Sequence, residues 1–385
     1  MNQEQDLEKF ITKFGGMTEE YDFYGGEVRI RYDTDNHVYL LVLEDGSLEV
    51  VNGVTSVCHI IDKSIVLIPW AVKMMAQKIQ AIIPSIDALQ GLNYDSFIDA
   101  VNSAKSAHKE KLDEAGNIGH IAHAWIEEYI QAQIEKDEAK SWYLLKNFPS
   151  DPRANNACNA ALEWMENHNV RWLFTERKVY SRNHKYAGTM DGLCQVDSCK
   201  DPLCCPNVFK DHVAIADWKT SNYLYPEYLM QTAAYQHSYE EETGEVVDDR
   251  WIIRLGKDDA KFEAWHLESD TYEDDWNAFL QALQLVRAFD KIENRLIDLK
   301  DIYRKGKKAK NKEEKEISLK LKCKTAHKYK GQRVPNCNGG NPCEYCLNKY
   351  NEVQAAKKPK EPKPRKQKLT QEDIIKNLMN LAKCA

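Results

Sequence analysis

Ile215-Ala216-Asp217-Trp218-Lys219-Thr220-Ser221 closes a short apolar run with an acid and a lysine two residues apart. Residues two apart on a β-strand point to the same face, so Asp217 and Lys219 project together. A second acid, Asp191, lies upstream in Ala187-Gly188-Thr189-Met190-Asp191-Gly192. A neighbouring strand would set it beside them. Around this stretch the chain reads as strands at Val170 to Tyr180, Tyr186 to Val196 and Val213 to Trp218. A helix from about Pro226 to Glu242 follows, then strands at Trp251 to Leu255 and Lys261 to Leu267, then a long helix from Tyr272 to about Asp301. Upstream, helical periodicity runs from about Tyr94 to Tyr143 and from Ala154 to His168. This order predicts an α/β fold with a central mixed sheet flanked by helices.

The first part of the chain is β-rich, at Glu27 to Tyr32, Val38 to Leu43 and Leu48 to Val51, with a turn at Asp45-Gly46. A helix is expected near Pro69-Trp70-Ala71-Val72-Lys73-Met74-Met75, with Pro69 in its first turn.

Two carboxylates can hold a divalent cation, and a lysine can orient or activate a water. That set suffices for phosphodiester hydrolysis, although a lone D-x-K on a strand is common by chance. Its neighbours strengthen it. Gly119, His123 and Glu127 recur every four residues and share a helix face. On that face Gly119 allows close backbone approach, and His123 is either a metal ligand or a hydrogen-bonded core histidine. Glu176 precedes the Gly188-Thr189-Met190-Asp191-Gly192 run, and Gln231 and Tyr235 stand four apart on the following helix. Asp197 is the rival of Asp191; flanking glycines 188 and 192, which permit a phosphate to approach closely, favour Asp191.

In this order (G-x-x-x-H, an acid, G-T-x-D-G, D-x-K-T-S, Q-x-x-x-Y) the chain resembles the RecB-type nucleases of the PD-(D/E)XK superfamily. Val51-Asn52-Gly53-Val54-Thr55-Ser56-Val57 and Leu67-Ile68-Pro69-Trp70-Ala71 are similar to the start of phage exonucleases and of the mitochondrial genome-maintenance exonuclease. The resemblance covers roughly residues 20 to 300 and implies a restriction-endonuclease-like core. It makes Asp191 and Asp217 the core carboxylates, His123 the helical metal ligand, and the Trp218 backbone carbonyl a further ligand of Mg²⁺ or Mn²⁺. Lys219 becomes the lysine that positions the attacking water. Glu176 supports the ion or its waters, and Gln231 and Tyr235 contact DNA or brace the site. The implied activity is a DNA exonuclease of recombination, repair or replication, encoded by a phage or prophage. The alternatives are a structure-selective endonuclease and a DNA-binding module that has kept the fold without cleavage.

The corresponding organisation is an N-terminal β-rich segment at 1–60, the nuclease core at 61–304, a basic cysteine-rich segment at 305–350, a basic linker at 351–370 and a short helix at 371–385. Cys323, Cys337, Cys343 and Cys346 surround a Gly- and Asn-rich turn and suit Zn²⁺ or an iron–sulfur cluster, with zinc slightly favoured. His327 is an alternative to Cys323, and Cys58 is a weak N-terminal candidate. Twenty-five residues separate Asp191 from Asp217, and that insert holds Cys199, Cys204 and Cys205 besides Cys194. It is either a zinc knuckle or a loop with buried thiols.

The net charge of -7 gives no global sign of nucleic-acid binding. Positive charge collects locally, from Lys305 to Lys330 and from Lys357 to Lys368, where it would add salt-sensitive phosphate affinity for single-stranded DNA or duplex ends. Tyr223, Tyr225 and Tyr228 are candidates to stack on bases, or simply to pack. No Walker-type G-x-x-x-x-G-K-S/T occurs, so unwinding would fall to a helicase partner; a single-strand annealing protein is the other expected partner. The start carries neither a secretory nor a transit signal, and no apolar run approaches the roughly 20 residues of a bilayer span. The expected location is the cytoplasm, the host's if the chain is viral, without a membrane partner.

Overall fold

The computed structural model describes residues 18–85, 89–91, 93–320, 327–329 and 332–334. These divide into two compact units at Lys291/Ile292. In the first unit nine strands form one mixed sheet. β1 (Thr18–Phe23), β2 (Val28–Asp33), β3 (Val38–Val42) and β4 (Leu48–Gly53) make an antiparallel meander. Its last strand pairs in parallel with the start of β6 (Tyr186–Val196), Gly53 facing Ala187. The β-rich beginning therefore shares the sheet of the core, continuous with it in hydrogen bonding.

β5 (Arg171–Ser181) runs antiparallel along one edge of β6. The other edge of β6 is divided. Its first residues pair with β4, and Gly192 to Val196 pair antiparallel with β7 (His212–Lys219). Between these pairings the strands part, and Asp191 lies at the fork. β7 then pairs in parallel with β8 (Asp249–Leu255), and β8 antiparallel with β9 (Phe262–Glu268). A parallel pair needs a crossover, here the helix Glu227–Thr243, which ends at Gly244 with φ 73°.

The remaining helices are α1 (Val54–Cys58), α2 (Ser64–Ile82), α3 (Tyr94–Ala104), α4 (Ala107–Glu135), α5 (Glu138–Lys146) and α6 (Pro152–Asn167); the crossover helix is α7, and α8 is Tyr272–Lys320. Two apolar layers sandwich the sheet. On one side Ala214, Ala216 and Trp218 of β7 meet Ile118, Ala122 and Ile126 of α4 and a small-residue stripe of α6, Ala157, Ala160 and Ala161. On the other, Ile215 meets Ala233 and Ala234 of α7 and Trp276 and Phe279 of α8. Small residues on α6 let its backbone approach the sheet. Its first turn is fixed by Asp151, whose carboxylate accepts from the Arg153 and Ala154 amides, with Pro152 inside the start.

Two expectations change. Pro69 lies in the second turn of α2, not the first, because the helix begins at Ser64. The same helix is long and apolar enough, by length and composition, to cross a membrane, so the expectation that no segment comes near that length does not hold. It carries Lys73 and Lys78, has no buried residue, and its Lys78 Nζ lies 3.3 Å from Glu110 Oε2 of α4. In the second unit, α8 continues to Lys320, past the expected end near Asp301, and His327–Tyr329 pairs antiparallel with Gln332–Val334. Cys323, Cys337, Cys343 and Cys346, the linker and the terminal helix lie outside the described residues.

Candidate active site

The register of β6 and β7 creates the site. Gly192 faces Ala216, so Asp191 and Asp217 are the first residues beyond the last pair. Across β5, Thr175 faces Gly192 and Arg177 faces Met190, which sets Glu176 opposite Asp191. Glu176 has φ 48°, a left-handed backbone unusual for a non-glycine residue inside a strand and a local strain of the kind that collects at functional positions. α4 approaches with His123, whose Nδ1 is 3.8 Å from Asp191 Oδ2, and with Glu127 one turn on. His123, Glu127, Glu176, Gly119 and Thr220 line a cleft of about 470 Å³.

Asp191 Oδ2 accepts the Trp218 N–H at 2.8 Å. Asp217 is 1 % exposed. Its Oδ2 lies 2.5 Å from Lys219 Nζ, and its Oδ1 is buried with no hydrogen-bond partner among the described residues. Lys219 Nζ donates to Gln231 Oε1 at 3.2 Å, and Gln231 Nε2 donates to the Tyr235 hydroxyl at 2.8 Å. The ammonium also sits 4.7 Å from the Tyr228 ring centroid. The glycines of the two motifs are close-approach positions. A Cβ on Gly119 would meet Thr220 Oγ1 at 2.8 Å, and one on Gly188 would meet Tyr235 Cε1 at 2.6 Å and Val54 Cγ2 at 3.0 Å. Gly188→Ala must therefore displace the ring that seats Gln231; a loss of about 1–3 kcal/mol in unfolding free energy, read from urea titration, is the expected result.

Electrostatics follow from packing several acids beside Lys219, with Lys178 acting on Glu176 and Glu127. Burial, then the Asp191 charge, pushes Glu176 up to about 8. Burial likewise lifts Asp217 to about 6, against the pull of Lys219, and raises Asp191. Glu127 is raised, again chiefly by burial. Burial opposes the charge on Lys219, but Asp217 and Asp191 outweigh it and raise its pKa, so the ammonium persists. His123 is held down to about 4 by burial and by Lys219, so its imidazole is neutral at physiological pH.

The residues singled out in sequence thus meet in one place: His123, Glu176, Asp191, Asp217, Lys219, Gln231 and Tyr235, with the Trp218 backbone beside them. Glu127, on the same helix face as His123, adds another acid to the cleft. The rival Asp197 is occupied elsewhere; its carboxylate accepts from Asn169 Nδ2 at 2.9 Å and from the Asp211 amide at 2.8 Å. Of the tyrosines, Tyr223 is exposed, Tyr225 carries Lys63 over its ring, and Tyr228 packs under Lys219. Cys58 is buried in the apolar layer under α7, away from any other described cysteine ligand set.

A second cluster lies in the β6–β7 connection. Cys199, Cys204 and Cys205 converge with His168, a group that could hold a metal ion. Cys194 stays in β6, its thiol directed at the Ala214 carbonyl oxygen at 3.6 Å. His168 escaped the sequence reading because it lies at the end of α6, far from the cysteines in the chain. The chain matches no protein-family model and no curated protein.

Proposed function

We propose that the chain is a metal-dependent deoxyribonuclease, an exonuclease built on a restriction-endonuclease-like core of the RecB type. The observation that carries this reading is the fork between β4 and β7. There Asp191, Asp217 and Glu176 share one site with Lys219, and α4 supplies His123. The neighbouring order also supports it: an antiparallel β5–β6–β7 set, the crossover α7, then a parallel β8.

The donor set fits a hard divalent cation. Oxygen ligands suit Mg²⁺ or Mn²⁺, the neutral imidazole of His123 tolerates the latter, and Asp217 Oδ1 is buried without a partner. Asp191, Asp217, the Trp218 carbonyl and His123 would hold it. Such an ion, when bound, polarises a phosphate oxygen and lowers the pKa of a coordinated water. The chain's own residues do the rest. Lys219, kept charged, offsets charge on the phosphate and orients a water rather than removing its proton. Gln231 fixes the lysine through its carbonyl oxygen, and Tyr235 fixes Gln231. Glu176 can hold or release a proton near neutral pH.

End-labelled linear DNA and closed circles, each incubated with Mg²⁺, Mn²⁺ or EDTA, test the reading. Degradation of linear DNA alone, only with an added ion, is expected. Cutting of closed circles would make the enzyme an endonuclease, and intact linear DNA under every condition would refute the nuclease.

A further inference from the structure

We propose that His168, Cys199, Cys204 and Cys205 bind one zinc ion that clamps the β6–β7 connection to the end of α6. The four donor atoms all lie within 4.8 Å of one another. Cys204 Sγ and Cys205 Sγ are 3.5 and 3.4 Å from His168 Nε2, and Cys199 Sγ is 3.5 Å from Cys205 Sγ. A tetrahedral zinc with bonds of about 2.3 Å to sulfur and 2.0 Å to nitrogen requires edges of about 3.8 Å between sulfurs and about 3.5 Å from sulfur to nitrogen. The observed spacing is therefore close to that of a loaded site. A disulfide needs about 2.05 Å between sulfurs, which this arrangement does not offer. An iron–sulfur cluster sets its thiolates around several iron atoms and needs them further apart.

The local structure prepares each ligand. His168 Nδ1 is 2.8 Å from the Trp164 carbonyl oxygen, which can only accept, so Nδ1 carries the proton and Nε2 presents its lone pair to the thiols. The ring is fully buried and stacks on Trp164, its centroid 4.9 Å from that of Trp251. Cys204 and Cys205 both donate their amides to the Asp201 carbonyl oxygen, at 3.1 and 2.9 Å, and this turn presents two adjacent thiols. The Cys199 amide donates to Cys205 Sγ at 3.4 Å, an interaction that favours the thiolate. Cys₃His is a donor set for which zinc is the fitting ion.

The role is structural. The connection leaves β6 at Val196, five residues or about 17 Å of strand from Asp191, so the ion would not touch the reacting phosphate. It would hold together the ends of the two strands that carry Asp191 and Asp217. Zinc content is independent of the nuclease reading, so the two stand or fall separately.

The test is metal analysis of the full chain purified without chelator, beside a Cys199→Ser/Cys205→Ser variant. Because the C-terminal cysteines are a separate candidate, the readout is the difference. The variant is expected to hold one zinc fewer per chain, and His168→Cys, which keeps a four-ligand set, should retain it. Should the variants fail to fold, wild-type alkylation mapped by mass spectrometry decides. Cys199, Cys204 and Cys205 are expected to resist until a chelator is added and then to react together. Equal zinc in wild type and double variant, alkylation at the same rate with and without chelator, or a disulfide among the three would overturn the proposal.

Discussion

Asp217→Asn should reduce DNA degradation by about 10²–10³-fold or more, and Lys219→Ala by a similar factor. Both remove charge from the centre of the cluster. Asparagine keeps the shape of Asp217 but loses the buried carboxylate whose Oδ1 has no hydrogen-bond partner among the described residues. Alanine at 219 removes the ammonium that pairs with Asp217 and leaves Asp217 and Asp191 without that compensation. Lys219→Arg should not rescue. The ammonium makes its contacts with Asp217, Gln231 and the Tyr228 ring as a compact charge, and a planar guanidinium with a different donor geometry does not reproduce them together. Gln231→Ala is expected to be milder, about 2–10-fold, because it loses one hydrogen bond that orients the lysine. Initial rates on linear DNA, with folding checked by thermal unfolding, give the comparison. Wild-type rates in Asp217→Asn would remove Asp217 from the site.

In EDTA the folded state should lose stability through this cluster as pH rises from about 4 to about 8. Glu176 titrates near 8 in the folded protein and Asp217 near 6, both above their ordinary values of 4.5 and 3.8. A group whose folded pKa is raised keeps its proton longer when folded than when unfolded. Its contribution is complete below the unfolded value and disappears as pH climbs through the folded one. Because these acids titrate together, the loss belongs to the cluster as a whole rather than to either residue. Glu176→Gln should therefore raise the metal-free melting temperature at pH 8 and leave it nearly unchanged at pH 5. Mg²⁺ or Mn²⁺ should restore wild-type stability most at the alkaline end, where the acids are ionised and ready to bind. Melting curves across pH, in EDTA and with each ion, check this. Identical pH profiles for wild type and Glu176→Gln would contradict the assigned cluster.

The site was legible where chemistry and strand parity coincide. Two-residue spacing placed Asp217 and Lys219 together, and four-residue spacing placed Gly119, His123 and Glu127 on one helix face. Tyr186 to Val196 has the expected bounds because turns and a compositional break delimit it. The divided edge of β6 was not legible, since no local pattern says that β4 joins its first residues and β7 its last. His168 was hidden for the same reason; only the packing of α6 on the sheet brings it to Cys199, Cys204 and Cys205. The extension of α8 to Lys320 reflects the helix-forming Lys, Glu and Ala residues within the basic run after Asp301. Pro69 shifted because the apolar residues before it begin the helix a turn earlier.

On the proposed reading, buried acids at the fork hold an ion without which the chain cannot cut DNA. The most direct measurement is nucleotide release from linear DNA by the full chain after exhaustive dialysis against EDTA, followed by addition of Mn²⁺ or Mg²⁺. No release before addition and rapid release after it are expected. Release that persists in EDTA, or none with either ion, would contradict the claim.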